Sequence, residues 1–269
     1  MIISILPNPT GSYAAQVTRE IADELCKLSA RTIICGENPD ERDEAVKMSD
    51  FVIAVGGDGS IIRAAKIASV YGKPVLGVNA GNLAFMAGLE RGELGLLKAL
   101  EDGEYSLDRR MMLDVSCFDG DKLLWTDCCL NDTVLARGSD IRIIEASVEC
   151  DGILVDKYRT DGLIFSTPTG STAYSLSAGG PVIEPTQNMI VLTPVCPHSL
   201  SARPIIFSEN ARLKVSVTDY SEAFFSNDGD NAVKFTPGQT AIIKKSDRYA
   251  DFVRIKPDRF WNVLKNKIH

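Results

Sequence analysis

Phe51-Val52-Ile53-Ala54-Val55-Gly56-Gly57-Asp58-Gly59-Ser60 is the stretch on which the reading of this chain turns. Its five leading apolar residues predict a central parallel strand covered on both faces, because a strand with one wet face alternates apolar and polar positions. Glycines directly after it let the backbone turn tightly and approach a ligand with no Cβ in the way. Residues 60–71 read as a helix, whose unpaired N–H groups and positive dipole end favour phosphate. Asp58 is the odd member: its charge opposes a bare phosphate cradle and fits instead Mg²⁺ binding or acceptance of a proton from an attacking hydroxyl. A tight turn with Asp58 as helix cap is the plain structural alternative. No GxxxxGK[ST] run occurs, and a GxGxxG pattern begun at Gly57 meets Ile62 at its third glycine, so neither the P-loop nor the Rossmann fingerprint applies.

Outward from this loop, residues 1–102 alternate strand and helix signals. Residues 2–6, 31–35 and 74–78 read as strands and 41–48 as a short acidic helix. Over 13–28, Ala14, Val17, Ile21, Leu25 and Leu28 recur at spacings of three and four and mark one helical face. Such alternation predicts an α/β domain with a parallel sheet. From residue 103 to 249, β signals dominate. Residues 141–150 lead through Asp151-Gly152, a two-residue hairpin signal, into 153–157. Further short strands are expected at 163–166, 189–192, 213–217, 232–235 and 241–244, which makes this a mostly antiparallel β-sandwich domain. The tail, 250–269, is expected to return to the first domain, with Phe260, Trp261, Leu264 and Ile268 on one helical face.

Acids outnumber bases by 36 to 29. A general nucleic-acid or anionic-membrane surface is therefore not expected, since such binding rests on clustered Lys and Arg. Seven cysteines show no CxxC spacing and read as small buried hydrophobes of a reducing compartment. With His198 and His269 alone, a histidine-based metal site is nearly excluded. The apolar start ends at Pro7, Asn8 and Pro9, too short for a signal peptide, and no run approaches a membrane span, so a cytoplasmic protein is expected.

The second motif is Asp161-Gly162-Leu163-Ile164-Phe165-Ser166-Thr167-Pro168-Thr169-Gly170-Ser171-Thr172-Ala173-Tyr174-Ser175-Leu176-Ser177-Ala178-Gly179-Gly180-Pro181. Small side chains let a flat ligand lie against the backbone, and hydroxyls read ring nitrogens and ribose oxygens. Together with the Gly56–Ser60 loop, Asn79-Ala80-Gly81-Asn82-Leu83-Ala84-Phe85 and Leu130-Asn131-Asp132, this block resembles the NAD kinase family in order and spacing over nearly the whole chain. The Gly-Gly-Asp-Gly element alone is shared with lipid kinases.

The resemblance implies an N-terminal α/β domain, a C-terminal β domain and a site completed in a homo-oligomer, a dimer or tetramer. It implies a kinase that transfers the γ-phosphoryl of ATP, or polyphosphate, to the 2′-hydroxyl of NAD's adenosine ribose, with Mg²⁺ or another divalent cation held mainly through the donor phosphates. Asp58 matches the aspartate that contacts the reacting hydroxyl, with Gly57 and Gly59 keeping the nucleotide path open. Asn131 and Asp132 match the pair that contacts ribose and adenine, and Thr172, Ala173, Tyr174 and Ser177 the adenosine-binding stretch. Phe85 lies beside the NAD pocket, Asp161 and His198 reach the nicotinamide end from a neighbouring subunit, and Asp228 aligns with another acidic site position. Arg109, Arg110 and Arg159 flank motifs as candidates for phosphate neutralisation. Asp132 stands where glutamate is usual and Ala84 where glycine is common. The rival readings are a lipid or sphingoid-type kinase sharing the glycine loop, and a non-catalytic NAD-binding regulator.

Overall fold

Strands β1 (Ile2–Pro7), β2 (Arg31–Ile34), β3 (Phe51–Gly56) and β4 (Val75–Asn79) run parallel in the order β2-β1-β3-β4. All six residues of β3 are buried, as its unbroken apolar run requires. Helices α1 (Ser12–Cys26), α2 (Pro39–Met48) and α3 (Asp58–Val70) supply the crossovers. Ala14, Val17, Ile21 and Leu25 of α1 are buried in one cluster with Ile3, Ile5, Ile53 and Val55. Burying each larger aliphatic side chain stabilises the fold by roughly 1.5–3 kcal/mol. That packing outweighs end effects in α1, which has no acidic first turn and no basic last turn.

The computed structural model describes residues 1–8, 12–36, 38–81, 84–139, 142–218, 222–230, 232–257 and 260–268. Pro9–Gly11, Asn82-Leu83 of the third motif and Ile141 of an expected strand lie outside the described residues. The chain divides into two units, Met1–Arg109 with Arg248–His269, and Arg110–Asp247. Among the described residues no helix is long and apolar enough to cross a membrane.

The first unit also holds β5 (Leu89–Glu90), parallel to β4, and the short α4 (Lys98–Asp102). Two long strands, β6 (Ser106–Asp119) and β17 (Gln239–Arg254), carry the chain out of this unit and back into it. In the second unit they enclose β7 (Lys122–Cys129), β8 (Asp132–Arg137), β9 (Ile144–Cys150), β10 (Ile153–Thr160), β11 (Gly162–Ser166), α5 (Tyr174–Ser177), β12 (Met189–Val195), β13 (Ile205–Ser208), β14 (Leu213–Val217), β15 (Ala223–Asn227) and β16 (Val233–Phe235). One antiparallel sheet has the order β13-β12-β11-β8-β15-β16; the other strands of the unit follow β10-β9-β14-β17, with β6 pairing β17 and β7. Trp125 of β7 meets Phe225 of β15 edge-on at 6.0 Å, joining the two layers. Asp151 and Gly152 turn the β9–β10 hairpin with φ of 50° and 82°, the left-handed pair that a two-residue turn needs.

Helix α6 (Phe260–Ile268) corrects one expectation. Phe260 and Val263 are buried, whereas Trp261 is 62% exposed, so the inward face follows a spacing of three from Phe260. The side chain of Ile268 lies outside the described residues.

Candidate active site

The glycine loop is built by β3 and α3. Gly56 has φ of 151°, and a Cβ there lies 2.6 Å from Ser60 Oγ, so only glycine fits. Gly57 is the extended N-cap of α3 (φ −87°, ψ −174°), which starts the helix at Asp58, two residues before the expected start. A Cβ added to Gly57 or Gly59 meets nothing within 4 Å, and neither has a positive φ. The backbone does not demand glycine at these two positions; what their bareness provides is open approach.

Asp58 does not cap its helix. Its carboxylate accepts the backbone N–H of Phe85 at 3.1 Å (Oδ2) and of Met86 at 3.0 Å (Oδ1). The alternative of a helix cap is thereby corrected: the side chain turns away to the 85–86 segment. These two N–H donors, one on each oxygen, fix the orientation of the carboxylate. Phe85 is half-buried, with its ring 6.4 Å from that of Phe260. Asn79 holds the same loop, accepting the N–H of Gly81 at 3.1 Å and donating to Glu90 at 2.9 Å.

Beside the loop a cavity of about 460 Å³ opens in the first unit, lined among others by Leu6, Asn8, Ile34, Ser60, Arg63 and Ile67. Its walls combine apolar surface with arginine, the pairing a nucleotide's base and phosphates require. Arg109, in contrast, forms a two-pronged pair with Asp251 at 2.8 and 3.0 Å and lies over the Tyr249 ring, so its charge is already matched.

In the second unit the Leu130–Asp132 turn is clamped from two sides. Asp228 accepts the N–H groups of Leu130 (2.8 Å), Asn131 (2.7 Å) and Asp132 (3.2 Å), while its own N–H donates to Asp132 O at 2.9 Å. Thr167 donates from Oγ1 to Leu130 O at 2.6 Å and from its backbone N–H to Asn131 O at 2.8 Å. Gly170 presses on the same place, where a Cβ lies 2.1 Å from Asn131 O. Asn131 Oδ1 and Ser166 Oγ, which lies opposite Asp132 in register, are buried without a hydrogen-bond partner among the described residues. Asp132 is 5% exposed, and burial followed by the Asp228 charge pushes its carboxyl up to about 7.

The hydroxyl-rich block is a 3₁₀ turn (Thr169–Thr172) followed by α5. Several of its hydroxyls serve the fold: Ser171 Oγ donates to Pro168 O and accepts the N–H of Ile183, and Ser175 Oγ meets Thr193 Oγ1 at 2.8 Å. Thr172 and Ala173 are half-buried, and Tyr174 and Ser177 are exposed. Arg110 is buried, its guanidinium 3.4 Å from Thr169 Oγ1.

Arg159, Asp161 and His198 share one neighbourhood. The His198 N–H donates to Arg159 O at 2.8 Å, Asp161 pairs with Arg137 at 3.0 Å, and Arg159 pairs with Glu145 at 3.0 Å. The His198 side chain is exposed. The structure thus gathers Asn131, Asp132 and Asp228 at one turn, and brings His198 against Arg159 at the end of β10, beside Asp161. Sequence reasoning missed Thr167, Arg137 and the backbone donors of Phe85 and Met86. Thr167 carried a signal, as a threonine within the block; backbone donors leave none.

A parallel α/β unit with a glycine loop and an oriented aspartate, joined to an antiparallel β unit, defines a nucleotide-dependent kinase. Residues 10–105 match the family described as ATP-NAD kinase N-terminal domain, and residues 130–255 the ATP-NAD kinase C-terminal domain. The chain belongs to the NAD kinase family. It is 38% identical to the NAD kinase of Acetivibrio thermocellus, covering 99% of this chain and 96% of that protein. It is 40% identical to that of Ruminiclostridium cellulolyticum, covering 82% and 78%. Among solved structures it resembles an NAD kinase from Archaeoglobus fulgidus in complex with ATP (TM-score 0.79, 26% identity, 100% of this chain and 98% of that one). Its fold also matches yeast NADH kinase complexed with NADH (TM-score 0.89, 23% identity, 100% and 87%).

Proposed function

We propose that this chain transfers the γ-phosphoryl group of ATP to the 2′-hydroxyl of NAD's adenosine ribose, giving NADP. The observation that carries the reading is the Asp58 carboxylate, fixed by the Phe85 and Met86 N–H groups beside an open glycine loop. Asp58 accepts the hydrogen bond of the 2′-hydroxyl and takes its proton as the oxygen attacks phosphorus in line. Positioning and charge neutralisation supply most of the rest in such transfers. Gly57 and Gly59 let the donor phosphates approach the N-terminus of α3, and the cavity lined by Arg63 receives the rest of the donor. Inorganic polyphosphate is the alternative donor.

Asn131 and Asp132 hold ribose and adenine, Thr172, Ala173, Tyr174 and Ser177 flank the adenosine, and Phe85 borders the pocket. Asp161 and His198 serve the nicotinamide end of a neighbouring protomer's site, which makes the working form a homo-oligomer, a dimer or tetramer, and Arg159 is a candidate for phosphate neutralisation. Among the described residues no group of three or more His, Cys, Asp or Glu side chains is arranged to hold a metal. Mg²⁺ or a similar cation enters as the counter-ion of the donor phosphates. The cytoplasm, where NAD and ATP are both plentiful, is the expected compartment. The test is NADP formation from NAD, ATP and Mg²⁺ by the wild type and by Asp58→Asn.

A further inference from the structure

The six backbone polar groups of Leu130, Asn131 and Asp132 all find partners in two residues, Asp228 and Thr167. Asp228 supplies four of those six bonds. It does so from φ of 52°, a conformation unusual outside glycine, with Gly229 following at 77°. Asp228 and Gly229 are the left-handed pair of a tight turn closed by the Asp230 N–H on Asn227 O at 2.9 Å. With the backbone fully engaged, the side chains at the turn are left for other partners, and Asn131 Oδ1 and Ser166 Oγ are buried with none among the described residues.

We propose that Asp228 is a positioning residue: by binding the backbone of Leu130, Asn131 and Asp132 it fixes the turn that presents Asn131 and Asp132 to NAD. This rests on the reading that Asp132 meets the adenosine ribose. An ionised Asp132 accepts from both ribose hydroxyls, whereas a protonated one has lost part of that capacity. Two carboxylates cannot both ionise freely at close quarters in a buried site. The charged group that bears on Asp132 is Asp228. Of the ionisable side chains on the packed elements, Asp127 of β7 accepts from Asn227 at 2.9 Å, and Arg110 of β6 reaches Thr169. Asp230, two residues beyond Asp228, is exposed. The shorter aspartate at position 132 thereby acquires a titration that NAD binding drives toward the ionised form.

The experiment is calorimetric titration of the full-length protein with NAD, without a phosphoryl donor, across pH 5.5–8.5 as an approximate range and in buffers of different ionisation enthalpy. The wild type is expected to release a measurable fraction of a proton per NAD bound near pH 7, because burial and then the Asp228 charge keep Asp132 partly protonated there. Its affinity is expected to rise as pH increases through 7. Asp132→Asn abolishes both the release and the pH dependence. Asp228→Asn lowers the midpoint, with burial still holding it above the ordinary carboxylate range, and weakens NAD binding at pH 8 several-fold through a looser turn. NAD binding without proton release, or an unshifted midpoint in folded Asp228→Asn, overturns the inference while leaving the kinase reading intact. If Asp228→Asn does not fold, proton release in the wild type that persists in Asp132→Asn overturns it equally. A wild type that binds no NAD at all overturns the functional reading itself.

Discussion

Asp58 Oδ1 accepts the backbone N–H of Met86 at 3.0 Å, tying the proposed proton acceptor to a segment 28 residues further along the chain. Phe85 adds a second N–H to the other oxygen, so two backbone donors orient the carboxylate. Lengthening the side chain by one methylene pushes the carboxylate off both donors. Asp58→Glu is therefore expected to fold normally and to lose on the order of 10²-fold in kcat, the cost of about 1 Å of misplacement at a reacting centre. Steady-state kinetics with circular dichroism as a folding control check this, and near-normal turnover contradicts it.

Gly56 and Gly57 separate structural from functional glycine. At Gly56, the positive φ and the 2.6 Å approach to Ser60 predict that Gly56→Ala destabilises by roughly 1–3 kcal/mol. At Gly57 an added methyl meets open space. Gly57→Ala is expected to stay within about 0.5 kcal/mol of wild type while raising the KM for ATP. Urea denaturation and donor kinetics on both variants distinguish the two roles.

Arg63 lines the cavity assigned to the donor. Charge-assisted hydrogen bonds contribute about 1.5–3 kcal/mol each. Arg63→Ala is accordingly expected to raise the KM for ATP about tenfold or more and to leave the KM for NAD unchanged. An unaltered KM for ATP moves the donor out of this cavity.

Asp132 also makes a stability prediction. Its carboxyl titrates near 3.9 in an unfolded chain and at about 7 in the fold, owing to burial first and Asp228 second. Between those values the folded chain holds a proton that the unfolded chain has lost, so this group's contribution to stability falls as pH rises from about 4 to about 7. Asp132→Asn escapes that fall. The variant should gain roughly 2–3 kcal/mol more over wild type at pH 8 than at pH 5, measured by urea denaturation. An equal difference at both pH values contradicts the raised titration.

Much of the first unit was legible because its signals are local. The apolar run of β3 and the three-and-four spacing in α1 each decide one element without reference to the rest. The second unit was harder. β7 was not read at all, since Leu123 and Leu124 are half-exposed and the strand has no clean alternation. Only four residues of the 16-residue β17 were read, because Lys244-Lys245 and Asp247-Arg248 interrupt its apolar pattern where it is partly wet. At the site, the loop glycines and Asp58 were readable from their position between strand and helix. The partners of Asp58 were not, because Phe85 and Met86 act through N–H groups that every non-proline residue carries. Nor does spacing along the chain bring Asp228 to a turn 96 residues before it.

The most direct measurement is the single-turnover rate of NADP formation from saturating NAD and Mg²⁺-ATP by wild type and by Asp58→Asn, both checked for fold and for NAD binding. General-base help from a side chain is typically worth 10²–10⁴-fold. Production by the wild type, with a loss in that range or greater in a folded Asp58→Asn that still binds NAD, is the predicted result. Comparable rates in the two proteins, or no NADP from a folded wild type that binds NAD, contradict the assignment of Asp58 as the group that takes the hydroxyl proton.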